Sequence, residues 1–254
     1  MKYKETARVL SQEYLGENIY SMWLQTDKIA AEAVPGQFIS LYCKDGTRLL
    51  PRPISLCEID GRQGRLRLVY RKVGKGTEEF SALTAGDTIE IIGPLGNGFP
   101  LENEGHALII GGGIGVPPLL QLARTLPGKK TLVMGYRSQT YLEAELRETA
   151  PMVIATEDGS QGTRGNVIDA IKANHLEADT IFACGPMPML RALKTYAEEH
   201  NMKAWISMEE KMACGIGACL ACVCKSKEID EHSKVHNKRI CAEGPVFDAQ
   251  EVEL

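Results

Sequence analysis

The 254-residue sequence predicts a mixed architecture: an N-terminal antiparallel β-barrel, then a doubly wound parallel-sheet α/β domain, then a small C-terminal segment rich in cysteine. Three observations predict it. The first hundred or so residues break into short β-rich runs about every ten residues, separated by Gly, Pro and Asp, as in antiparallel barrels and sandwiches. From about Glu102, apolar strand-like runs alternate with helical periods, the pattern of a parallel sheet covered by helices on both faces. Beyond Met208 the alternation stops and cysteines crowd together. The expected units are therefore 1–101, 102–208 and 209–254.

In the first unit, strands are expected over residues 7–10, 19–25, 37–43, 54–59, 64–71 and 88–93, with one helix over 76–83. Two spots look chemical. Arg52 stands between Pro51 and Pro53 and is followed by Ile54 and Ser55, while Val69, Tyr70 and Arg71 run into a glycine turn that ends at Gly76 and Thr77. A helix start offers free N–H groups to a phosphate, arginine offers a two-pronged charge partner, and serine or tyrosine at a strand end can hydrogen-bond a flat heterocycle. Either segment alone reads equally well as a surface arginine or a plain turn.

In the second unit, strands are expected at 106–110, 131–136, 152–156, 179–184 and 204–208, and helices at 141–147, 167–173 and 188–200. The first strand runs into Gly111, Gly112, Gly113 and Gly115, with Pro117 and Pro118 in the first turn of the next helix. This loop misses the dinucleotide fingerprint G-x-G-x-x-G, because position 116 is valine. A second turn, Cys184, Gly185 and Pro186, closes a later strand of the same sheet, and two such turns at the strands' C-terminal ends point to a dinucleotide pocket.

In the third unit, Cys214, Cys219 and Cys222 have the C-x4-C-x2-C spacing of plant-type 2Fe-2S sites, with Cys241 as a fourth thiol. Gly215 and Gly217 let the backbone wrap three thiolates around one cluster. Structural zinc also takes four cysteines, usually on two paired hooks, and a disulfide is the third reading. Cys224 reads as a packed thiol, and Cys43, Cys57 and Cys184 as core residues.

A net charge of −4 gives no electrostatic reason to expect nucleic acid. The N-terminal residues carry no apolar signal-peptide core, and no apolar run reaches membrane-span length, so a cytoplasmic location and reduced thiols are expected. The five histidines, His106, His175, His200, His232 and His236, share no motif. The charged stretch 225–238, with Lys227, Glu228, Asp230, Glu231 and Lys234, reads as a solvated loop.

With these pieces in order, about 210 residues resemble the ferredoxin-NADP reductase superfamily, through the R-P-x-S pattern at Arg52–Ser55, the glycine loop and the C-G-P turn. With the cysteine segment appended, the whole chain resembles the electron transfer subunits of type B dihydroorotate dehydrogenases. That resemblance implies FAD in the barrel, a 2Fe-2S cluster on Cys214, Cys219, Cys222 and Cys241, and NAD as co-substrate. It implies an FMN-containing catalytic partner in a heterotetramer of two copies of each subunit, serving pyrimidine (UMP) biosynthesis. Arg52, Pro53, Ile54 and Ser55 would contact the FAD, Val69, Tyr70 and Arg71 would flank its flavin and ribityl portions, and Gly76 and Thr77 would cradle its pyrophosphate. Gly111, Gly112, Gly113, Gly115, Cys184, Gly185 and Pro186 would lie beside the nicotinamide nucleotide.

No triad or carboxylate pair is required. Electrons from the partner's FMN would pass the cluster singly, collect on FAD and leave as hydride to NAD. The superfamily's terminal aromatic is replaced by the cysteine segment, which leaves the second flavin face without an assigned cover. Ile216 and Leu220 are expected in the partner interface. Two rivals remain: a subunit of an NADPH-linked ferredoxin oxidoreductase or sulfide dehydrogenase, and a zinc-stabilised nucleotide-binding module that reports redox state. Arg137 and Ser138 suit a 2′-phosphate, whereas Glu157 and Asp158 suit ribose hydroxyls.

Overall fold

The computed structural model describes residues 1–229 and 234–254, so Asp230, Glu231 and His232 of the charged stretch lie outside the described residues. Strands β1 (Tyr3–Gly16), β2 (Ile19–Gln25), β3 (Phe38–Leu41), β4 (Arg52–Asp60), β5 (Arg65–Arg71) and β6 (Thr88–Leu95) close into an antiparallel barrel in the order β1-β2-β5-β4-β3-β6. Period-two pairs fill it: Met22 with Leu24, Ile39 with Leu41, Leu66 with Leu68, and Ile89 with Ile91, all at most 3 % exposed. Burying each such side chain contributes about 1.5–3 kcal/mol. The short helix α1 (Ile29–Glu32) plugs one part of the wall, and α2 (Lys75–Ser81) buries Phe80 against the barrel core.

β1 runs far beyond the expected residues 7–10. Its extra length is polar and half exposed, so hydrophobicity does not reveal it; ladder bonds to β2 on one side and β6 on the other sustain it.

The second layer system holds β7 (His106–Gly112), a 3₁₀ turn (Gly113–Gly115), α3 (Pro118–Thr125), β8 (Lys129–Tyr136), α4 (Glu143–Arg147), β9 (Met152–Thr156), β10 (Thr163–Arg164), α5 (Val167–Ala173), β11 (Thr180–Cys184), α6 (Met187–Glu199) and β12 (Lys203–Ser207). After it come β13 (Val223–Lys225), β14 (Asn237–Arg239) and β15 (Val246–Asp248). The sheet order is β10-β9-β8-β7-β11-β12-β15, all parallel except β15, while β13 and β14 form a separate hairpin. Strand order reverses between β7 and β11, and in such sheets the ligand crevice opens there, at the strands' C-terminal ends. Among the described residues, no helix is long and apolar enough to cross a membrane.

Barrel and sheet are held together by a buried ionic knot. Glu58 of β4 is 7 % exposed and takes Arg67 of β5 at 2.5 Å and Arg124 of α3 on its two oxygens. Arg67 also bonds Ser21 at 2.8 Å and reaches Glu145 of α4 at 3.4 Å. Beside it the Gln121 side chain of α3 accepts the N–H of Ile59 at 2.9 Å. Two arginines balance the central carboxylate, so removing it leaves buried positive charge. Glu58→Gln is expected to destabilise the protein by about 3 kcal/mol, the usual cost of breaking a buried pair, read as a lower midpoint in denaturant unfolding; a midpoint within error of the native protein would contradict the role given to this knot.

Candidate functional site

A cleft of about 500 Å³ lies where the three parts of the chain meet. One wall is the barrel: Arg52, Pro53, Ile54 and Ser55 of β4, Val69, Tyr70 and Arg71 of β5, and Gly76 and Thr77 of α2 all line it. These nine residues come from separate stretches: antiparallel pairing of β3, β4 and β5 sets the strand residues side by side, and the turn after β5 brings Gly76 and Thr77 of α2 to the same wall. Tyr70 is held by stacking on Tyr20, centroids 6.0 Å apart, and by donating to Gln12 at 3.1 Å. Thr77 Oγ1 accepts the N–H groups of Val73 at 3.0 Å and Gly74 at 3.2 Å, which sets the turn into α2.

Two details suit this wall to a phosphorylated, flat ligand. The Arg52 guanidinium lies across Gly76, where an added Cβ would stand 2.5 Å from Nε, so only glycine lets the arginine cross the helix start. Arg71 Nε is buried without a hydrogen-bond partner, an unmet donor in a residue that lines the cleft. Such a donor is costly unless something accepts from it.

The far wall was not assigned from sequence. It comes from Ile114 of the glycine turn, from Ser207 at the end of β12, from Met208, Glu209, Glu210 and Met212 after it, and from Pro245 before β15. Glu209 is open to the cleft yet walled in by protein, and that desolvation pushes its carboxyl above the usual range. It forms no hydrogen bond or ion pair among the described residues. Lining residues on a strand's C-terminal extension carry no motif, so periodicity could not single them out.

The glycine turn and the C-G-P turn sit together at the switch between β7 and β11. At Gly115 a Cβ would stand 2.4 Å from the carbonyl oxygen of Cys184, so here glycine serves backbone contact between the two turns. Gly113 has φ +53° and open space beyond it, and its carbonyl accepts the Tyr141 hydroxyl at 2.5 Å. Gly111, Gly112, Gly185 and Pro186 complete the pair of turns, in which Gly112 and Gly185 both face Met189. Cys184 is 1 % exposed and its thiol is pushed up by burial, so its sulfur is a packed core group; of the two turns, only Ile114 lines the cleft itself.

Near the barrel's end the cysteine loop converges. The sulfur of Cys214 accepts the N–H groups of Ala218 at 3.3 Å and Ile216 at 3.5 Å. Burial alone would raise its thiol, but the N–H groups of Ile216, Cys219 and Ala218 and the neighbouring Cys219 thiol pull it down to about 6. Cys222 and Cys241 are 2 % and 1 % exposed, and burial and then its Cys222 neighbour hold Cys241 up at about 12. Gly215 and Gly217, at φ +68° and +90°, make the wrap possible, and Arg239 clamps it by donating to the Gly217 carbonyl at 3.1 Å.

A single ion needs at least three donors around one point, and no such group of His, Cys, Asp or Glu occurs among the described residues. Cys214 is influenced by Cys219, and Cys241 by Cys222 and Cys214, so the four thiols belong to one neighbourhood, and four cysteine thiolates are the donor set a 2Fe-2S cluster takes. Cys224, on β13, turns to the Lys238 carbonyl at 3.5 Å instead. Among the histidines, His106 bonds Thr131, His200 bonds the Tyr196 carbonyl and His236 the Lys227 carbonyl, each as a local fastening.

Comparison with known proteins matches family models to two stretches of the chain and relatives to its whole length. A family model described as an oxidoreductase FAD-binding domain matches residues 6–99, and one described as the iron-sulfur cluster binding domain of dihydroorotate dehydrogenase B matches residues 209–253. The dihydroorotate dehydrogenase B (NAD(+)) electron transfer subunit of Geobacillus kaustophilus (strain HTA426) is 43 % identical over 261 aligned positions, covering 99 % of both chains. The chain belongs to that family. The corresponding subunit of Bacillus caldolyticus is likewise 43 % identical over 99 % of both chains. Among solved structures, that of an NADH-dependent reduced ferredoxin-NADP oxidoreductase superposes with a TM-score of 0.88 over 98 % of this chain and 90 % of its own, at 28 % identity. A cytochrome P450 reductase from Amycolatopsis gives 0.68 over 79 % of this chain and 67 % of its own, at 25 % identity.

Membership in the dihydroorotate dehydrogenase B family makes this chain an FAD and iron-sulfur oxidoreductase subunit, and it leaves Glu209 as a titrating group the sequence did not flag. Because its folded-state pKa is raised, the folded chain holds the proton more tightly than the unfolded one, and stability falls as pH rises from the ordinary carboxyl range through the raised value. Glu209→Gln is expected to flatten that fall and to raise the melting temperature at neutral pH; parallel melting curves between about pH 4.5 and 8 for variant and native protein would contradict it.

Proposed function

We propose that this chain passes reducing equivalents between NAD and a partner subunit that oxidises dihydroorotate. The observation that carries the reading is the single cleft lined by the barrel, by the glycine turn and by the start of the cysteine segment. When bound, FAD trades electrons in pairs and a 2Fe-2S cluster trades them singly, which suits a relay between a nicotinamide and a one-electron path. The units are taken as 1–101, 102–208 and 209–254, the last lending β15 to the sheet of the second.

Arg52, Pro53, Ile54 and Ser55 hold one edge of the flavin, Val69, Tyr70 and Arg71 its face and ribityl chain, and Gly76 and Thr77 the pyrophosphate. Arg71 Nε supplies the unmet donor and Arg52 the charge against phosphate. Met208, Met212 and Pro245 stand opposite the barrel wall and cover the face that lacks the superfamily's aromatic. The turns at Gly111 to Gly115 and Cys184 to Pro186 bring the nicotinamide to the same cleft past Ile114. Cys214, Cys219, Cys222 and Cys241 hold the cluster.

The partner is read as an FMN-bearing catalytic subunit, two copies pairing with two of this chain in the cytoplasm. Ile216, Leu220 and Val223, 45 %, 44 % and 37 % exposed around the open Cys219, offer it an apolar face. NAD is preferred over NADP: the Ser138 hydroxyl, a possible partner for a 2′-phosphate, is already given to Glu17 at 3.1 Å. The ferredoxin-linked reading has the fold likeness of the 0.88 superposition behind it, but at 28 % identity against 43 % for the dihydroorotate relatives.

Purified without oxygen, the chain is expected to be coloured, with one FAD and about two irons and two sulfides per chain. A colourless protein carrying zinc would overturn this reading in favour of the nucleotide-binding module.

A further inference from the structure

Ser40 lies in the middle of β3, opposite Pro53 in the ladder to β4 and two residues from Phe38, both of which line the cleft. Ser40 itself does not line the cleft. Its side chain is 1 % exposed, and Oγ is buried with no hydrogen-bond partner. A serine in a barrel strand flanked by Ile39 and Leu41 contributes nothing to the apolar interior, and an unmet buried hydroxyl costs about 1–3 kcal/mol.

What the hydroxyl does touch is the cysteine loop. A Cβ on Gly215 would stand 2.8 Å from Ser40 Oγ, with only Leu95 Cδ1 otherwise near, at 3.6 Å. The missing side chain at Gly215 therefore leaves room for Oγ beside the residue that follows Cys214. In the same turn the N–H groups of Ile216 and Ala218 already donate to the Cys214 sulfur. The barrel thus brings one free O–H donor to a turn that holds the Cys214 sulfur, and in which the Ile216 and Gly217 carbonyls already accept from Lys2 and Arg239.

We propose that Ser40 Oγ–H donates a hydrogen bond to a sulfur of the cluster at the Cys214 turn and thereby raises the cluster's reduction potential. This rests on the reading of Cys214, Cys219, Cys222 and Cys241 as 2Fe-2S ligands. Reduction adds negative charge to the sulfurs, and a donor to a charged acceptor stabilises the reduced form more than the oxidised one. Ser40 also joins the two cofactor sites directly: its ladder partner Pro53 borders the flavin cleft while its hydroxyl borders the cluster loop.

The test is a potentiometric titration of the full chain followed by EPR and by flavin absorbance, on native protein, Ser40→Ala and Ser40→Thr. Ser40→Ala is expected to lower the equilibrium constant for cluster reduction by about fivefold to tenfold, at about 59 mV per tenfold for a one-electron couple, with the flavin couple unmoved. Ser40→Thr, which keeps the hydroxyl, is expected to stay near the native value. Pulsed EPR of the reduced native protein is expected to show a strongly coupled proton that exchanges in D₂O and is absent from Ser40→Ala. A Ser40→Ala protein with the native cluster potential and the native exchangeable couplings would overturn the proposal, as would a shift of the flavin couple alone, which would assign the hydroxyl to the cleft. Absence of iron and sulfide from the native protein would instead sink the cluster reading itself.

Discussion

The short antiparallel pairing of β15 with β12 is the constraint on which the site depends. Ser207 faces Val246 and Ile206 faces Phe247, so the segment from Met208 to Pro245 has its two ends pinned side by side at the edge of the sheet. That segment contains all four cysteines of the cluster reading, and its stems supply most of the cleft's far wall, Met208, Glu209, Glu210 and Met212 on one side and Pro245 on the other. The barrel grips the same stem: the Asn97 N–H donates to the Gly244 carbonyl at 2.6 Å, and its side chain donates to the Glu243 carbonyl at 2.8 Å. The cysteine segment is therefore held by both larger units, and one set of backbone bonds sets the distance between loop and cleft.

A second constraint fixes the larger units against each other. With Glu58 and Arg67 on the barrel and Arg124 and Glu145 on the helices, the buried knot joins opposite charges across the junction, and the hydrophobic cluster around Ile19, Val69, Val116 and Leu119 crosses it too. Charge pairing of this kind adds little net energy compared with apolar packing, yet a wrong relative placement would leave buried charges unpaired. The knot thus specifies orientation more than it supplies stability, and orientation is what brings Ile114 to the mouth of a cleft built mainly by the barrel.

Much of this was legible in the residues. β2, β9 and α5 stand at the expected positions, because a compact apolar run or an amphipathic turn bounded by Gly, Pro or Asn marks its own ends; at α5 Asn166 caps the helix and Asp169 answers it. The nine barrel residues singled out from Arg52 to Thr77 all reach one wall, and the cysteine spacing led to a turn in which backbone N–H groups converge on the Cys214 sulfur. What stayed hidden depends on pairing between distant segments. β15 is three residues long and exists only because β12 offers an open edge; Glu209 acquires its character from walls contributed by other units; and Ser40 looks like an ordinary polar residue in a strand until Gly215 is set against it.

The central claim, that one chain couples a nicotinamide to a one-electron path through this cleft, is tested most directly by adding NADH to the anaerobic, cofactor-loaded chain and following flavin absorbance and EPR together. The account predicts that NADH bleaches the flavin and that the signal of a reduced 2Fe-2S cluster then appears in the same sample, with NADPH far less effective. Flavin reduction with a cluster that stays oxidised and EPR-silent, while dithionite still reduces it, would contradict the account.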